Sequence, residues 1–247
     1  HNIWLSYNSY KVLKQTGIWS SLSYNVTNNA IANKTVIDNR GVRTTIPVNV
    51  DANKNWNFWG EWNKGEGEKK LIHTASLEAN GGTANNFINS FANRTRYYSF
   101  SVGYGARYEI EEKWSLHLRP KIGYSRSVSS LNKSAETSFL TYGGESNGRL
   151  KLPANFELQT DVQFDLRQRL TAFDANPNFT IWNAELSKKV FKNKSGVVSL
   201  LARDILNQNR GFNRIINSNF ITEERYQRVG QYFMLKLEWS FNKMGGE

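Results

Sequence analysis

Residues 97–110 alternate between two kinds of side chain almost without a break. One parity carries the apolar and aromatic side chains Tyr98, Phe100, Val102, Tyr104, Ala106, Tyr108 and Ile110. The other parity carries Tyr97, Ser99, Ser101, Gly103, Gly105, Arg107 and Glu109. A period of two is that of a β-strand, whose successive side chains point to opposite faces. The segment therefore predicts a long strand with lipid on one face and water on the other.

The same alternation recurs along the chain and predicts a series of long strands. We count about eleven, and many exceed the usual 5–6 residues of globular sheets and reach the roughly 9–11 residues that a tilted strand needs to cross a bilayer. The predicted hairpins and strands are 97–126, 137–167, 179–206 and 229–241, with earlier alternation in 42–50 and 56–62 and a less regular pattern in 2–13 and 17–31.

The connections between these strands are of two kinds that alternate in order. Short ones are predicted near 14–16, 51–54, 111–113, 153–155 and 192–196. Longer polar ones are predicted near 32–40, 64–93, 127–136, 168–178 and 207–218. Tight turns on one side and long loops on the other are typical of a meander between two unlike compartments. We expect the outer loops, 64–93 above all, to contact ligands, although the sequence identifies no individual ligand-binding residue.

Large aromatic side chains lie close to the predicted short turns and predict an aromatic girdle at one level of the membrane. They are Trp56, Trp114 and Phe156, which begin strands, and Tyr108, Phe191, Trp239 and Phe241, which lie near strand ends. The alternative is that these rings fill the core of a β-sandwich. The opposite parity is too polar and too long for a second packed sheet, which favours the girdle.

Composition excludes several classes of protein. No stretch of 18 apolar residues exists, which excludes a membrane-spanning helix. The chain contains no cysteine, which excludes disulfides and thiolate metal sites. Its net charge is +11, but the basic residues are spread along the chain, so we expect no nucleic-acid partner. A basic surface facing anionic lipid headgroups, or lining a lumen, accounts for the same charge.

The sequence contains few residue patterns that would support catalysis. The three histidines, His1, His73 and His117, have no metal-ligand spacing, and no Gly-x-Ser-x-Gly segment is present. His117 could serve a hydrolase triad, but a solvated side chain on the polar parity is the favoured interpretation. We therefore expect no catalytic residue, no metal, no cofactor and no enzymatic activity, with a barrel hydrolase as the enzyme-class alternative.

A strip of carboxylates follows one predicted strand at Glu157, Asp161 and Asp165. Along a strand, positions i and i+4 lie about 13 Å apart, whereas a glycosidase pair needs about 5–9.5 Å. We therefore interpret the strip as facing water or basic residues such as Arg119 and Lys121.

A sheet in hydrocarbon must close on itself, and bacterial single-chain barrels have even strand numbers. A count of about eleven therefore indicates either a miscount or a part of a larger barrel.

Two segments carry a resemblance to a known family: Arg203–Asn209, with its Asp-x-x-Asn pattern, and the aromatic-rich strand Gln231–Phe241. They resemble the C-terminal end of TonB-dependent-receptor-like outer-membrane β-barrel proteins of Bacteroidetes. The turn at 152–158 is also similar to hairpins of that family.

The resemblance implies a barrel of about 22 strands with an N-terminal plug. Because the chain has about half those strands, no plug and no TonB box, and starts at His1 without an initiator Met, we expect 1–247 to be the C-terminal portion of an all-β, antiparallel, up-and-down transmembrane barrel. The implied function is nutrient import across the bacterial outer membrane. The implied partners are the lipid bilayer and lipopolysaccharide, with TonB and a surface lipoprotein bound through parts outside this sequence. The alternatives are a complete 12-strand porin-like barrel, a passive pore, and a structural component of a surface or secretion assembly.

Overall fold

The chain folds into β-strands joined by turns, loops and two inserted hairpins. A computed structural model describes residues 1–67, 70–88, 90–110, 113–131, 136–170, 178–191, 194–216 and 221–241. The strands are β1 (Asn2–Lys11), β2 (Thr16–Thr27), β3 (Ala30–Ile37), β4 (Arg43–Val50), β5 (Asn53–Glu66), β6 (Leu71–Ile88), β7 (Phe91–Ile110), β8 (Trp114–Ser129), β9 (Thr137–Leu152), β10 (Phe156–Arg167), β11 (Phe179–Val190), β12 (Gly196–Arg203), β13 (Gly211–Ile216), β14 (Ile221–Tyr226) and β15 (Tyr232–Trp239). None of the described residues forms a helix long and apolar enough to cross a membrane.

Eleven of these strands form one antiparallel meander in the order β1-β2-β5-β6-β7-β8-β9-β10-β11-β12-β15. The β3–β4 hairpin is inserted between β2 and β5, where β3 also pairs with the end of β6, and makes the sheet 13-stranded in all. The β13–β14 hairpin forms a separate two-stranded sheet between β12 and β15. Strands β1 and β15 each pair on one side alone within the described residues, so the sheet is not closed there. The predicted all-β up-and-down architecture is confirmed.

Cross-strand register aligns the apolar parities of successive strands into a continuous band, which we call the apolar face. One row of directly paired residues runs through Leu5, Leu22, Phe58, Ala79, Phe100, Tyr124 and Leu140. The row at the far side of the sheet runs through Leu158, Leu186, Leu200 and Leu235. Because the side-chain period is two, this register also places the polar parity of the strands on the opposite face.

The apolar face is not covered by another layer. Phe100, Leu118 and Leu235 are 43%, 44% and 66% exposed. Among the described residues the fully buried apolar side chains are Ala30, Val50, Ala79 and Leu201, mostly small ones. A sandwich of this length would bury many large side chains between two sheets. The sandwich alternative is therefore wrong, and the exposed band matches a surface solvated by acyl chains.

The prediction of a long loop at 64–93 is wrong, because most of that segment is the strand β6. Its connections to β5 and β7 span only 67–70 and 89–90. Strands β6 and β7 are 18 and 20 residues long and extend beyond their neighbours. The sequence Asn80–Asn86 is polar and rich in glycine, so it does not show the alternation expected of a strand. Its glycines leave room for rings from neighbouring strands. A Cβ atom on Gly81 would lie 2.9 Å from the Trp56 ring.

With β6 included, each connection can be assigned to one end of the sheet. The turn end has the tight connections 12–15, 67–70, 111–113, 153–155 and 191–195. The loop end has the two inserted hairpins and the connections 89–90, 130–136 and 168–178. The predicted short connection at 51–54 is a turn, but it lies at the loop end. Residues 68–69, 89, 111–112, 132–135, 171–177, 192–193 and 217–218 of the predicted connections lie outside the described residues.

The apolar face carries aromatic side chains at two levels rather than one. At the turn end the ring centroids of Tyr108 and Trp114 are 5.1 Å apart, and those of Phe191 and Trp239 are 6.2 Å apart. Phe156 and Phe241 lie at the same end, as predicted. Trp56 was assigned to this girdle wrongly, because the turn before it closes the inserted β3–β4 hairpin and therefore lies at the loop end.

Trp56 belongs to a second girdle at the loop end. It pairs with Tyr24, and its ring lies 6.3 Å from Phe100. The rings of Tyr98 and Tyr124 complete this level, 6.1 Å apart. Ten residues of β7 separate the two girdles, which at about 3.4 Å per residue and a tilt of about 40° gives a height of roughly 26 Å, close to the apolar band of about 25 Å in outer-membrane barrels.

Pro120 interrupts one ladder without shifting it. The bridges between β7 and β8 stop at Gly103–Lys121 and resume at Ala106–Leu118 in the same register. This gap is expected because proline has no backbone N–H to donate. The register is the same on both sides of the gap, which excludes a bulge at this point.

Candidate functional site: the polar face

The polar face carries charged side chains of both signs together with small residues, so it suits contact with water. We define it as the parity opposite the apolar face. Its charged members include Glu61, Glu78, Glu109, Glu145, Asp161, Asp165, Glu185, Arg107, Arg119, Lys121, Arg149 and Arg203. A face of this kind cannot contact acyl chains, since charged groups there cost several kcal/mol at mid-depth, about 2–4 for arginine and lysine. It is therefore the surface on which a solute or another polar segment would lie.

A long-range ion pair crosses the middle of the polar face. Arg119 on β8 donates from Nη2 to the Glu61 carboxylate on β5 at 2.7 Å, reaching over the two intervening strands. Two glycines of β7, Gly103 and Gly105, lie beneath this path. A Cβ atom on Gly103 would lie 2.7 Å from Ser76 Oγ, which is too close, whereas one on Gly105 would be in ordinary contact with Arg119 Cγ at 3.5 Å. This explains the Gly-x-Gly sequence as a packing feature of a strand.

A cluster of charges occupies the turn end of the polar face. Glu109 accepts hydrogen bonds from Arg107 at 3.0 Å and from Arg149 at 3.5 Å. These arginines line a cavity of about 580 Å³, which also reaches His117 and Arg203. The walls carry three arginines and the carboxylates of Asp161 and Glu185, and each arginine lies within 4 Å of a carboxylate. Because a guanidinium has five N–H donors, these arginines could bind a further carboxylate beside the ones they already contact.

The acidic strip of β10 has partners other than those predicted. Asp161 accepts a hydrogen bond from Asn183 Nδ2 at 2.7 Å and lies 3.9 Å from Arg203. Glu157 accepts a hydrogen bond from Gln159 at 2.6 Å. The prediction that Arg119 would face this strip is wrong, because that arginine pairs with the carboxylate of β5, on the other side of its own strand.

His117 lies on the polar face as predicted, and it is half-buried beside the arginines of the cavity. Its ring makes no hydrogen bond or ion pair to another residue in the part of the chain that the structure describes. The described residues also contain no group of three or more potential ligands that could hold a metal ion.

Four aromatic side chains, which we call the aromatic wall, lie on the polar face at the first edge of the sheet, and the sequence analysis did not identify them. They are Trp4, Tyr10, Trp19 and Trp59. The rings of Tyr10 and Trp19 lie 6.4 Å apart, and Trp59 is 39% exposed. The signal was present in the sequence, since these residues fall on the polar parity of β1, β2 and β5. Exposed rings on a polar surface can stack against sugars or other planar groups.

The Asp-x-x-Asn pattern at 204–207 has a structural role at the exit of β12. Asp204 is 3% exposed, and its carboxylate accepts hydrogen bonds from the backbone N–H groups of Gln208 at 3.0 Å and Asn209 at 2.9 Å. Asn207 has a positive φ of 52° and accepts a hydrogen bond from the Gln231 backbone. The motif therefore ties the last loop to the start of β15.

A buried asparagine organises the loop end. Asn93 is 2% exposed and donates to Asn86 at 2.9 Å and to Thr95 at 3.3 Å. Its carbonyl oxygen accepts hydrogen bonds from Ser129 at 2.7 Å and Ser130 at 3.2 Å. This network joins the tall β6–β7 hairpin to β8. These hydrogen bonds lie in a region where the sequence predicted a long polar loop.

Comparison with known proteins agrees with this geometry. A family model described as "Outer membrane protein beta-barrel family" matches residues 69–241, well over half of the chain. A search of curated proteins finds no match.

Proposed function

Since the chain belongs to the outer-membrane protein β-barrel family, it is a bacterial outer-membrane barrel protein, and we propose that it is the C-terminal part of a TonB-dependent nutrient importer. The observation that carries the proposal is the meander of eleven strands, in which, among the described residues, β1 and β15 each leave one edge unpaired. Eleven strands are half of the roughly 22 strands of plugged outer-membrane transporters.

The two edges are the physical reason for expecting more wall. Each unpaired backbone N–H or C=O in hydrocarbon costs several kcal/mol, so a spanning sheet with open edges is unstable in a bilayer. Strands β1 and β15 are ten and eight residues long, and every second residue directs its backbone groups to the open side. We propose that further strands pair with both edges and enclose the polar face as a lumen.

The charges of the polar face support transport of a polar solute. The Glu61–Arg119 ion pair and the arginine-rich cavity would line the lumen, and the aromatic wall would offer stacking surfaces. The cavity lies at the turn end, which is the periplasmic end in outer-membrane barrels. In this proposal its arginines hold carboxylates of a plug, and the plug blocks passive flow until TonB acts.

Single-channel conductance of the full-length protein in planar bilayers tests the proposal. A plugged importer gives no stable conductance in buffer and opens when urea displaces the plug, whereas a passive pore conducts at once. The double variant Arg107→Gln/Arg149→Gln should leak, because it removes two positive charges that hold the plug. The matched control Lys151→Gln, at the same end of the polar face, should stay closed.

Two results would contradict the proposal. One is steady conductance of the unmodified protein without urea, which would favour the passive pore. The other is a full-length protein that forms no cross-link to TonB in cells, which would favour a structural component of a surface assembly.

A further inference from the structure

Two adjoining hollows lie on the apolar face at the loop end, outside the proposed lumen. The lower hollow, of about 510 Å³, is lined by rings including Tyr24, Trp56 and Phe100. The upper hollow, of about 740 Å³, is lined largely by polar side chains from the base of the β3–β4 hairpin and the β6–β7 hairpin. Arg96 lines both hollows. Together they form one amphipathic groove, which we call the outer-rim groove.

The lower part of the outer-rim groove lies at the aromatic girdle of the loop end. Trp56 lies across β6 because Gly81 has no side chain to displace it. The ring centroids of Tyr98 and Phe100 are 5.7 Å apart and form the neighbouring wall. Rings at this depth meet the boundary between acyl chains and headgroups, so this part of the groove suits the upper segment of an acyl chain.

Two cations stand one row above these rings. The register places Lys54 beside Thr83, and Thr83 beside Arg96. The cations lie two residues beyond Trp56 and Tyr98 along their strands, a rise of about 7 Å. Both side chains are exposed, and neither makes a hydrogen bond or ion pair to a side chain in the described part of the chain.

The neighbouring charges leave this pair available for an anion. Arg126, one strand further along, is already neutralised by Glu136 at 2.7 Å. Arg94 donates one hydrogen bond to Asn85 at 3.2 Å and adds a third positive charge above the pair. Asp51 is the one carboxylate among the residues that line the groove. The excess of positive charge in the groove therefore favours binding of a negatively charged group at the level of the lipid headgroups.

The upper part of the groove is rich in amides. Asn29, Asn49, Asn85 and Asn86 line it. Each amide side chain offers both donors and acceptors, and the side chains of Asn29 and Asn49 make no hydrogen bond to other described residues. Such a wall suits hydroxyl groups, as on a sugar ring, better than the small headgroup of a simple phospholipid.

We propose that the outer-rim groove binds a phosphorylated glycolipid of the outer leaflet. An acyl chain lies against Trp56 and Phe100, a phosphate lies between Lys54 and Arg96, and a sugar ring occupies the amide-lined hollow. The loop end faces the outer leaflet because the tight turns of outer-membrane barrels are periplasmic. The site is independent of the transport proposal, since it lies on the opposite face of the sheet.

Native mass spectrometry of the full-length protein with bisphosphorylated lipid A tests this site. Each cation near an anionic membrane surface is worth about 1 kcal/mol, so Lys54→Gln/Arg96→Gln should weaken binding of lipid A about 30-fold. The matched control is Lys64→Gln/Lys188→Gln, which removes two cations from the apolar face at the turn end and should bind lipid A as the unmodified protein does. Heat-modifiable electrophoretic mobility verifies that each variant is folded.

The competing ligands make the test discriminating. Chemically dephosphorylated lipid A should bind as weakly to the unmodified protein as lipid A binds to Lys54→Gln/Arg96→Gln. Equal affinity for dephosphorylated lipid A would overturn the phosphate contact. Equal affinity for phosphatidylglycerol would overturn the sugar contact, and an equal loss in both double variants would show only non-specific charge attraction.

Discussion

Replacing Leu118 by arginine tests the orientation of the sheet in the membrane. Leu118 lies on the apolar face of β8, is 44% exposed, and lies four residues from Trp114 in one girdle and six from Tyr124 in the other. At about 3.4 Å per residue and a tilt of about 40°, it lies roughly 10 Å from one girdle and 16 Å from the other. This depth is within a few ångströms of the bilayer midplane.

An arginine at the midplane of a lipid-facing barrel surface costs about 2–4 kcal/mol, so we expect Leu118→Arg to lower the free energy of unfolding by an amount in the upper half of that range. The control is Gln163→Arg. Gln163 shares a register row with Arg119, the residue next to Leu118, so it lies at the same depth but on the polar face. This variant should change stability by no more than about 0.5 kcal/mol.

Urea unfolding of the full-length protein in lipid vesicles, followed by tryptophan fluorescence, measures both values. The reasoning is refuted if the two arginines cost the same, or if the polar-face variant is the more damaging one. In either case the apolar parity would not be the surface that meets acyl chains.

Three further variants test local contacts by the same unfolding assay. Glu61→Gln should cost about 0.5–1.5 kcal/mol at low salt and less at high salt, because it weakens a half-buried ion pair with Arg119 that salt screens, and no loss of stability at low salt would argue against that pair. Asn93→Ala should cost about 1–3 kcal/mol, because it leaves buried hydrogen-bonding groups of the loop end without a partner, and an unchanged urea midpoint would disprove its organising role. Asp204→Ala should cost about 1–3 kcal/mol and speed amide hydrogen exchange of Gln208, whereas unaltered exchange there would mean that the carboxylate does not hold the turn.

The alternation of side chains predicted most of the sheet because it records a simple physical constraint. Each strand has one face in lipid and one in water, so apolar and polar residues alternate along β7, β8, β10 and β15. This pattern can be recognised within each strand without knowing its neighbours. The strand β6 was not predicted because its glycines, which are unusual in a strand, are explained only by the rings that neighbouring strands place against them. A local pattern cannot reveal that Gly81 lies under Trp56.

The partners on the polar face were harder to predict for a related reason. Arg119 reaches a carboxylate three strands away, and that contact depends on the register of three successive strand pairs. The error over Trp56 has a similar origin, since the local alternation of β4 does not reveal that β3 and β4 form an inserted hairpin outside the meander. The Asp204–Asn207 turn was identified through its sequence pattern, but its role became clear only when both backbone hydrogen bonds were located.

A cysteine scan along β7 tests the central claim most directly, since the chain contains no natural cysteine. Spin labels placed singly at Ser101, Val102, Gly103 and Tyr104 in lipid-embedded full-length protein would report collisions with dissolved oxygen and with a water-soluble nickel complex. We expect oxygen access to peak at Val102 and Tyr104 and nickel access to peak at Ser101 and Gly103. Two accessibility profiles that rise and fall together along the strand would contradict the assignment of lipid to one face and water to the other.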